Sequence, residues 1–344
     1  MDSRGKTFLC VVIVCVIGIA LMVGIFLDET SNTNSVKRAV EQSSVSEATA
    51  DVSQDIEVAQ DQSYIKDSFD GSITYEGEKY EVNTAIDTVL FLGIDSSDQE
   101  RNGAGIKEGG RSDTIILFVI DNKNKIITPL EINRDTMVNV DIYDNDGNYL
   151  TQGLEQLTMQ YSYGTSPSKA CNLTKEKVSD LLGRKRIDGV ISLTMDGIEP
   201  IVDMIDGVTL QLQTDETILN PTYTQGAIVH LDGTSAVEFV HTRDVEVRGS
   251  NIDRMSRQTQ FMIALFENIK RQGNSIIETM EDAAGDYLYK DLDADTIAHI
   301  TQYDYADNVL YLPGENDISG QHDEFYVDEE KLTELILDLF YLHP

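Results

Sequence analysis

Four charged residues bracket two apolar runs in a pattern suited to gripping an anion. Arg111 and Asp113 enter the run Ile115–Ile120, and Arg134 and Asp135 leave the run Ile126–Ile132. The link Asp121–Lys125 is short and polar, so the runs predict a hairpin that brings both Arg-Asp pairs to one end of a sheet. Guanidinium forks beside carboxylates, held on rigid strands, suit an anionic phosphate and a divalent metal. Asp95 closes a third apolar run, Val89–Ile94, where a metal ligand or a turn carboxylate would equally fit. A second basic group lies downstream: His241, Arg243 and Arg248, then Arg254, Arg257 and Gln258 at the start of a helix expected over Ile252–Lys270. Arg254 shares a helical face with Arg257 and Gln258. Taken alone, Arg257 reads as a solvated surface residue. Basic side chains near a helix N-terminus oppose its dipole unless an anion is present, so the set points to an anion.

The elements that must position these groups alternate between strand and helix. Helices are expected over Leu154–Tyr163, over Thr174–Leu182 with Thr174 as N-cap, over Gly197–Ile205 and from Gly233 to about Val240, with strands at Val190–Leu193 and Val208–Leu212. The polar stretch Asp141–Thr151 holds Asp144–Gly147 as a turn, since an EF-hand would require further ligands that do not line up. Towards the C-terminus a helix is expected at Ala294–Gln302, a strand at Asn308–Leu312 and a core-packed helix at Asp328–Tyr341. This order predicts an α/β fold, an αβα sandwich with a central mixed sheet.

Composition bounds the function. The net charge of −34 excludes generic attraction to nucleic acid or to anionic lipid, and makes the central arginines a local exception. The glycine-rich loop Ser96–Gly110 lacks the signatures of a P-loop or dinucleotide fold. No G-x-S-x-G elbow supports a serine hydrolase using His241. Cys10 and Cys15 lie in an apolar run and Cys171 stands alone, which excludes a disulfide framework. Residues 1–7 read as a cytoplasmic tail and 8–27 as a transmembrane anchor, because Phe8–Leu27 is uncharged, with Arg4 and Lys6 before it and Asp28 and Glu29 after. Residues 28–84 read as a disordered acidic tether, in which Ser72–Tyr75 and Lys79–Val82 could add an edge hairpin, and 85–344 as an extracellular domain.

Several blocks in order resemble the LytR-CpsA-Psr family: Phe91–Asp95, Gly110–Thr114, Asn133–Thr136, Gln160–Gly164, Met195–Ile198, Gly207–Thr209 and Asp253-Arg254-x-x-Arg257-Gln258. The resemblance implies a membrane-anchored phosphotransferase, mainly of Gram-positive bacteria. Such an enzyme takes a glycopolymer (teichoic acid or capsular polysaccharide) from an undecaprenyl-pyrophosphate carrier and joins it to peptidoglycan through a phosphodiester. It further implies Mg²⁺, with Mn²⁺ as a substitute, at Asp95 and Asp113, and a pyrophosphate clamp of Arg134, Arg243 and Arg254 with Arg111, His241 and Gln258 beside them. Asp135 would orient Arg134. Two positions depart from the family pattern: His241-Thr242-Arg243 stands where Arg-x-Arg is common, and Gln156 where many members carry Lys. They leave open an alternative, a polyprenyl-pyrophosphate-binding regulator or scaffold with little turnover.

Overall fold

Unbroken apolar runs demand strands buried on both faces, and the longest of them form the middle of the sheet. The computed structural model describes residues 71–95, 110–144, 146–242, 250–273, 275–292, 296, 302–320 and 322–343. The chain enters through a hairpin, β1 (Ile73–Tyr75) and β2 (Glu78–Val82), before β3 (Ile86–Asp95), β4 (Arg111–Asp121) and β5 (Ile126–Glu131). β4 and β5 pair antiparallel as the expected hairpin, and β4 pairs antiparallel with β3. A two-stranded ribbon follows, β6 (Met137–Tyr143) and β7 (Tyr149–Gln156), and then the short α1 (Met159–Ser162) and α2 (Pro167–Leu181). β8 (Gly189–Thr194) runs parallel to β3. After α3 (Ile198–Met204) come the ribbon β9 (Val208–Gln211) and β10 (Ile228–Leu231), then α4 (Gly233–His241), α5 (Ser250–Gln272) and α6 (Ser275–Ala284). β11 (Leu288–Asp291) closes one edge of the sheet against β8, while β12 (Asp304–Tyr305) and β13 (Leu310–Tyr311) run parallel to β5 at the other. A last hairpin, β14 (Gly314–Asp317) and β15 (Glu324–Val327), leads to α7 (Glu329–Phe340) and β16 (Tyr341–Leu342).

The sheet order is β11-β8-β3-β4-β5-β12, with β13 also on β5, so it is mixed as expected. Alternate residues divide two cores. Val89, Phe91, Ile116, Phe118 and Ile120 face α3, α4 and α5 through Ile201, Phe239, Phe261 and Leu265. Leu90, Leu92, Ile115 and Leu117 face α2 and α7 through Ala170, Val178, Ile336 and Phe340. The result is three layers, helix, sheet and helix.

One expectation is met and two change. Within the stretch 28–84, the edge hairpin expected at Ser72–Tyr75 and Lys79–Val82 is present as β1 and β2. Ile73 is buried in the second core and β2 pairs with β16, so a strand from the far end of the chain orders a segment whose own composition does not. The helix expected over Leu154–Tyr163 is largely strand and turn: Leu154–Gln156 end β7, and only Met159–Ser162 is helical. Leu150 and Leu154 are exposed, which hid the ribbon's alternation. α2 starts seven residues before Thr174, with Pro167 in its first turn and Ser166 as N-cap, its hydroxyl accepting from the Lys169 amide at 3.2 Å. Thr174 sits inside the helix and donates to the Ala170 carbonyl. The segments 1–70 and 96–109 and most of Ala294–Gln302 lie outside the described residues, and the expected membrane span with them.

Candidate active site

The loop after β5 turns on its own side chains. Asn133 Oδ1 accepts from the Asp135 amide at 2.9 Å, and the Asn133 carbonyl accepts from the Thr136 amide at 3.1 Å and from the Thr136 hydroxyl. This Asx turn aims Arg134 back across the end of β4. There Asp113 is the extra residue of a bulge: Gly93 pairs with Thr114 and Ile94 with Ser112, leaving Asp113 between them. The bulge needs close backbone approach, since a Cβ on Gly93 would lie 2.8 Å from the Thr114 side chain.

Asp113 is the hub. Arg134 Nη1 donates to its Oδ1, and Arg254 Nη2, from the first turns of α5, donates to its Oδ2 at 3.1 Å. Thr158 Oγ1 lies 3.4 Å from Oδ1. Arg134 Nε also donates to Asp135 Oδ1 at 3.2 Å. That same carboxylate oxygen accepts from Gln156 Nε2 at 2.8 Å, and Gln156 in turn donates to the Asp323 carbonyl at 2.6 Å. Asp113, Arg134, Asp135 and Arg254 are all buried. Two carboxylates thus balance two guanidiniums, as burial of charge requires.

This cluster borders a narrow cleft between the sheet and α3, α4 and α5. Asp95, Asp113, His241, Arg254 and Gln258 supply its polar lining, and Phe91, Leu193, Met195, Ile198, Phe261 and Met262 its apolar wall. Its free volume is about 30 Å³, room for roughly two waters. Gln258 Nε2 donates to the Val240 carbonyl at 3.0 Å, and its buried Oε1 has no hydrogen-bond partner among the described residues.

The two expected halves of the site therefore meet, through Asp113. Arg134 and Arg254 touch it, while Asp95, His241 and Gln258 line the adjoining cleft. Arg111 does not enter the buried cluster; it is exposed, in register opposite Asp95 at the rim. Arg243 and Arg248 lie outside the described residues. Arg257, read from sequence as a solvated residue, is buried. Thr158, Glu131 and the partners of Gln156 carry no signal in the sequence. Glu131 is the neighbour of the Asx turn, and its Oε2 accepts from Thr259 of α5 at 2.6 Å. Burial raises its carboxyl from the ordinary 4.5 to about 7, against the lowering effect of that hydrogen bond.

No group of three or more His, Cys, Asp or Glu side chains converges on one point among the described residues. Asp95 and Asp113 offer two carboxylates on one cleft, with the Gln258 oxygen as a further hard acceptor. Protein sites commonly hold Mg²⁺ through one or two carboxylates, with substrate phosphates and water completing the shell, and here both Asp113 oxygens also accept from Arg134 and Arg254.

Comparison with known proteins places this geometry. TagU of Oceanobacillus iheyensis, a polyisoprenyl-teichoic acid–peptidoglycan teichoic acid transferase by name, is 28% identical over 228 residues, covering 64% of this chain and 63% of TagU. The chain thus spans less than two thirds of that protein's length. TagT of Bacillus subtilis, of the same description, is 26% identical over 275 residues, 73% of this chain and 75% of TagT. A structure of TagT bound to LI-WTA superposes with a TM-score of 0.55 at 24% identity, over 74% of this chain and 90% of that one. Bacillus subtilis TagV superposes with a TM-score of 0.55 at 21% identity, over 75% and 96%. These structural likenesses show the shared fold. The model of the LytR_cpsA_psr family matches residues 38–339, nearly the whole chain, and the chain belongs to the LytR-CpsA-Psr family.

Proposed function

We propose that the chain is a phosphotransferase that moves a glycopolymer from an undecaprenyl-pyrophosphate carrier to peptidoglycan. The observation that carries this reading is the convergence of Arg134 and Arg254 on Asp113 at the polar border of an apolar cleft. A lipid pyrophosphate has that polarity: an anionic head and a hydrocarbon tail. Phosphoryl transfer is catalysed chiefly by positioning and by neutralising charge on the non-bridging oxygens, which paired guanidiniums do well. In the reaction a peptidoglycan hydroxyl, that of N-acetylmuramic acid, attacks the phosphorus bonded to the glycopolymer. The bond from that phosphorus to the bridging oxygen breaks, undecaprenyl phosphate leaves, and the hydroxyl proton is lost.

Arg134 and Arg254 would hold the pyrophosphate oxygens, with Arg243, His241, Gln258 and the rim residue Arg111 near them. Asp135, fixed by Gln156, would orient Arg134. Mg²⁺, or Mn²⁺ in its place, bound by Asp95 and Asp113 would neutralise further phosphate charge. The apolar wall would take the first part of the lipid tail, each buried CH₂ contributing about 0.8 kcal/mol. Phe8–Leu27 would anchor the chain in the cell membrane as a single span, with the N-terminus cytoplasmic and the domain outside, where carrier and acceptor meet. The names of the relatives favour a teichoic acid as the glycopolymer.

The test uses the full chain in detergent with Mg²⁺, a polyprenyl-pyrophosphate-linked glycan and peptidoglycan oligomers, and detects the phosphodiester product by mass spectrometry. Product is expected from the wild type, with a loss of at least about 100-fold in Arg134→Ala, as for removal of one transition-state donor. Absence of product from the wild type refutes the transferase reading. One observation favours a second reading, a polyprenyl-pyrophosphate-binding regulator: Asp113 already occupies both guanidiniums, and His241 stands where a further Arg would compete for the anion. Binding without product, and product gained in His241→Arg, would select it.

A further inference from the structure

Arg257 and Glu216 stand apart from the anion-binding cluster, yet each is only 4% exposed. The Arg257 fork reaches three acceptors. Nε donates to the Phe239 carbonyl at 3.0 Å, Nη1 to Glu216 Oε2 at 2.9 Å, and Nη2 to the Thr242 carbonyl. Phe239 lies in the last turn of α4 and Thr242 is its C-cap. The carbonyls of a last helical turn have no partner within the helix and carry the negative end of its dipole. Gln258, the next residue of α5, donates to the Val240 carbonyl between them. Consecutive side chains of α5 thus cover the carbonyl end of α4, the end that sets His241 into the cleft lining and leads through Thr242 to Arg243.

Glu216 is itself pinned. Its Oε1 accepts from Thr214 Oγ1 at 2.8 Å, its amide donates to the Tyr223 carbonyl at 2.7 Å, and its carbonyl accepts from the Leu219 amide at 2.9 Å. A carboxylate buried on the β9–β10 connection costs desolvation that an apolar residue would avoid. What the carboxylate adds is direction: it holds a planar fork at the one angle that reaches both Phe239 and Thr242.

We infer that Arg257, oriented by Glu216, is a positioning residue that fixes the C-terminal end of α4, and with it His241, at the border of the cleft. Resting on the reading that pyrophosphate binds at this border, the inference gives Arg257 a second effect. It neutralises carbonyl dipoles that would otherwise repel the incoming anion.

The full chain in detergent is compared with Arg257→Lys, Glu216→Gln and the double variant by two measurements. The first is hydrogen exchange at residues 239–242, with β3 and β4 as internal controls. The second is calorimetric binding of farnesyl pyrophosphate, a short lipid pyrophosphate. Lysine keeps the charge but cannot span three acceptors, so Arg257→Lys is expected to exchange at least about tenfold faster at 239–242, with the controls unchanged, and to bind about tenfold more weakly. Glu216→Gln keeps an acceptor for Arg257 and is expected to show about a threefold effect on each readout. The double variant should be no worse than Arg257→Lys alone, because Glu216 acts through Arg257. Unchanged exchange and binding in Arg257→Lys overturns the inference, and should that variant not fold, wild-type behaviour of Glu216→Gln overturns it instead. A wild type that does not bind farnesyl pyrophosphate refutes the pyrophosphate reading, while faster exchange at 239–242 in Arg257→Lys would still establish the hold on α4.

Discussion

Replacing Asp113 by Asn tests whether the buried charges form one electrostatic unit. The change keeps the shape and leaves Asn Oδ1 to accept from Arg134, but it removes a charge that both Arg134 and Arg254 contact. Two buried guanidiniums would then face the single carboxylate of Asp135. Breaking a buried ion pair on one side costs about 3–5 kcal/mol, and the surviving hydrogen bond offsets part of that, so about 3 kcal/mol is expected. For a domain of this size that is a fall in Tm of roughly 6–12 °C. An anion able to bind both guanidiniums should return most of it. At a hundred times its Kd, pyrophosphate would stabilise by about 2.7 kcal/mol. In the wild type Asp113 competes for the same donors, so the gain should be smaller there. The assay is a thermal melt of both proteins across a pyrophosphate series at constant ionic strength. Buried charges are poorly screened, so sodium chloride should not reproduce the rescue. An Asp113→Asn protein that melts within 1 °C of the wild type, or equal pyrophosphate shifts in both, would refute this account.

Three further outcomes follow from single sites. The folded state raises the Glu131 carboxyl from 4.5 to about 7, so between those values the folded chain holds a proton that the unfolded chain releases. Stability therefore falls as pH rises from about 4.5 through 7, by about 3 kcal/mol in all, and Glu131→Gln, which keeps an acceptor for Thr259, should flatten the dependence in urea melts at pH 5 and pH 8. Gly164→Ala would place a Cβ 2.3 Å from the Ala170 backbone and should cost at least about 2 kcal/mol by chemical denaturation, without changing pyrophosphate binding per folded molecule. Ser166→Ala removes the N-cap of α2 and should cost about 1 kcal/mol, seen as a shift of the urea midpoint at constant slope.

What the sequence made legible is local or periodic. Ile115–Ile120 and Ile126–Ile132 declared a hairpin through composition and a polar link, and the pairing of Phe118 with Pro129 follows from that link. The convergence of Arg134 with Asp113 followed in turn, because an antiparallel pair brings the start of one strand to the end of the next. Pairings over long separations were not legible. β2 is ordered by β16 across most of the chain, and Gln156 finds its acceptor at Asp323. The ribbon β6–β7 was obscured because Leu150 and Leu154 face outwards. Arg257 misled for a different reason: helical spacing shows that it shares a face with Arg254, but not that α4 ends against that face.

The polar contacts around the cleft also divide what is rigid from what can move. α5 is tied to β4 through Arg254 and Asp113, to β5 through Thr259 and Glu131, and to α4 through Arg257 and Gln258. Such contacts are directional and are lost within a fraction of an ångström, so the seam they close resists sliding. The remaining wall, where Met195 and Ile198 meet Phe91, Leu193 and Met262, is apolar, and contacts of that kind re-form after small shifts. On the proposed reading the tail begins at this wall, where the Met195 and Met262 side chains can re-pack. α3 itself is held by directional contacts, its Asp203 Oδ1 accepting from the Gly233 amide of α4 and the Ile205 carbonyl accepting from Gln272 Nε2 of α5, both at 2.7 Å, so it does not slide away from α5. α5 in turn keeps Arg254 against Asp113, so the head-group geometry is set before the lipid arrives.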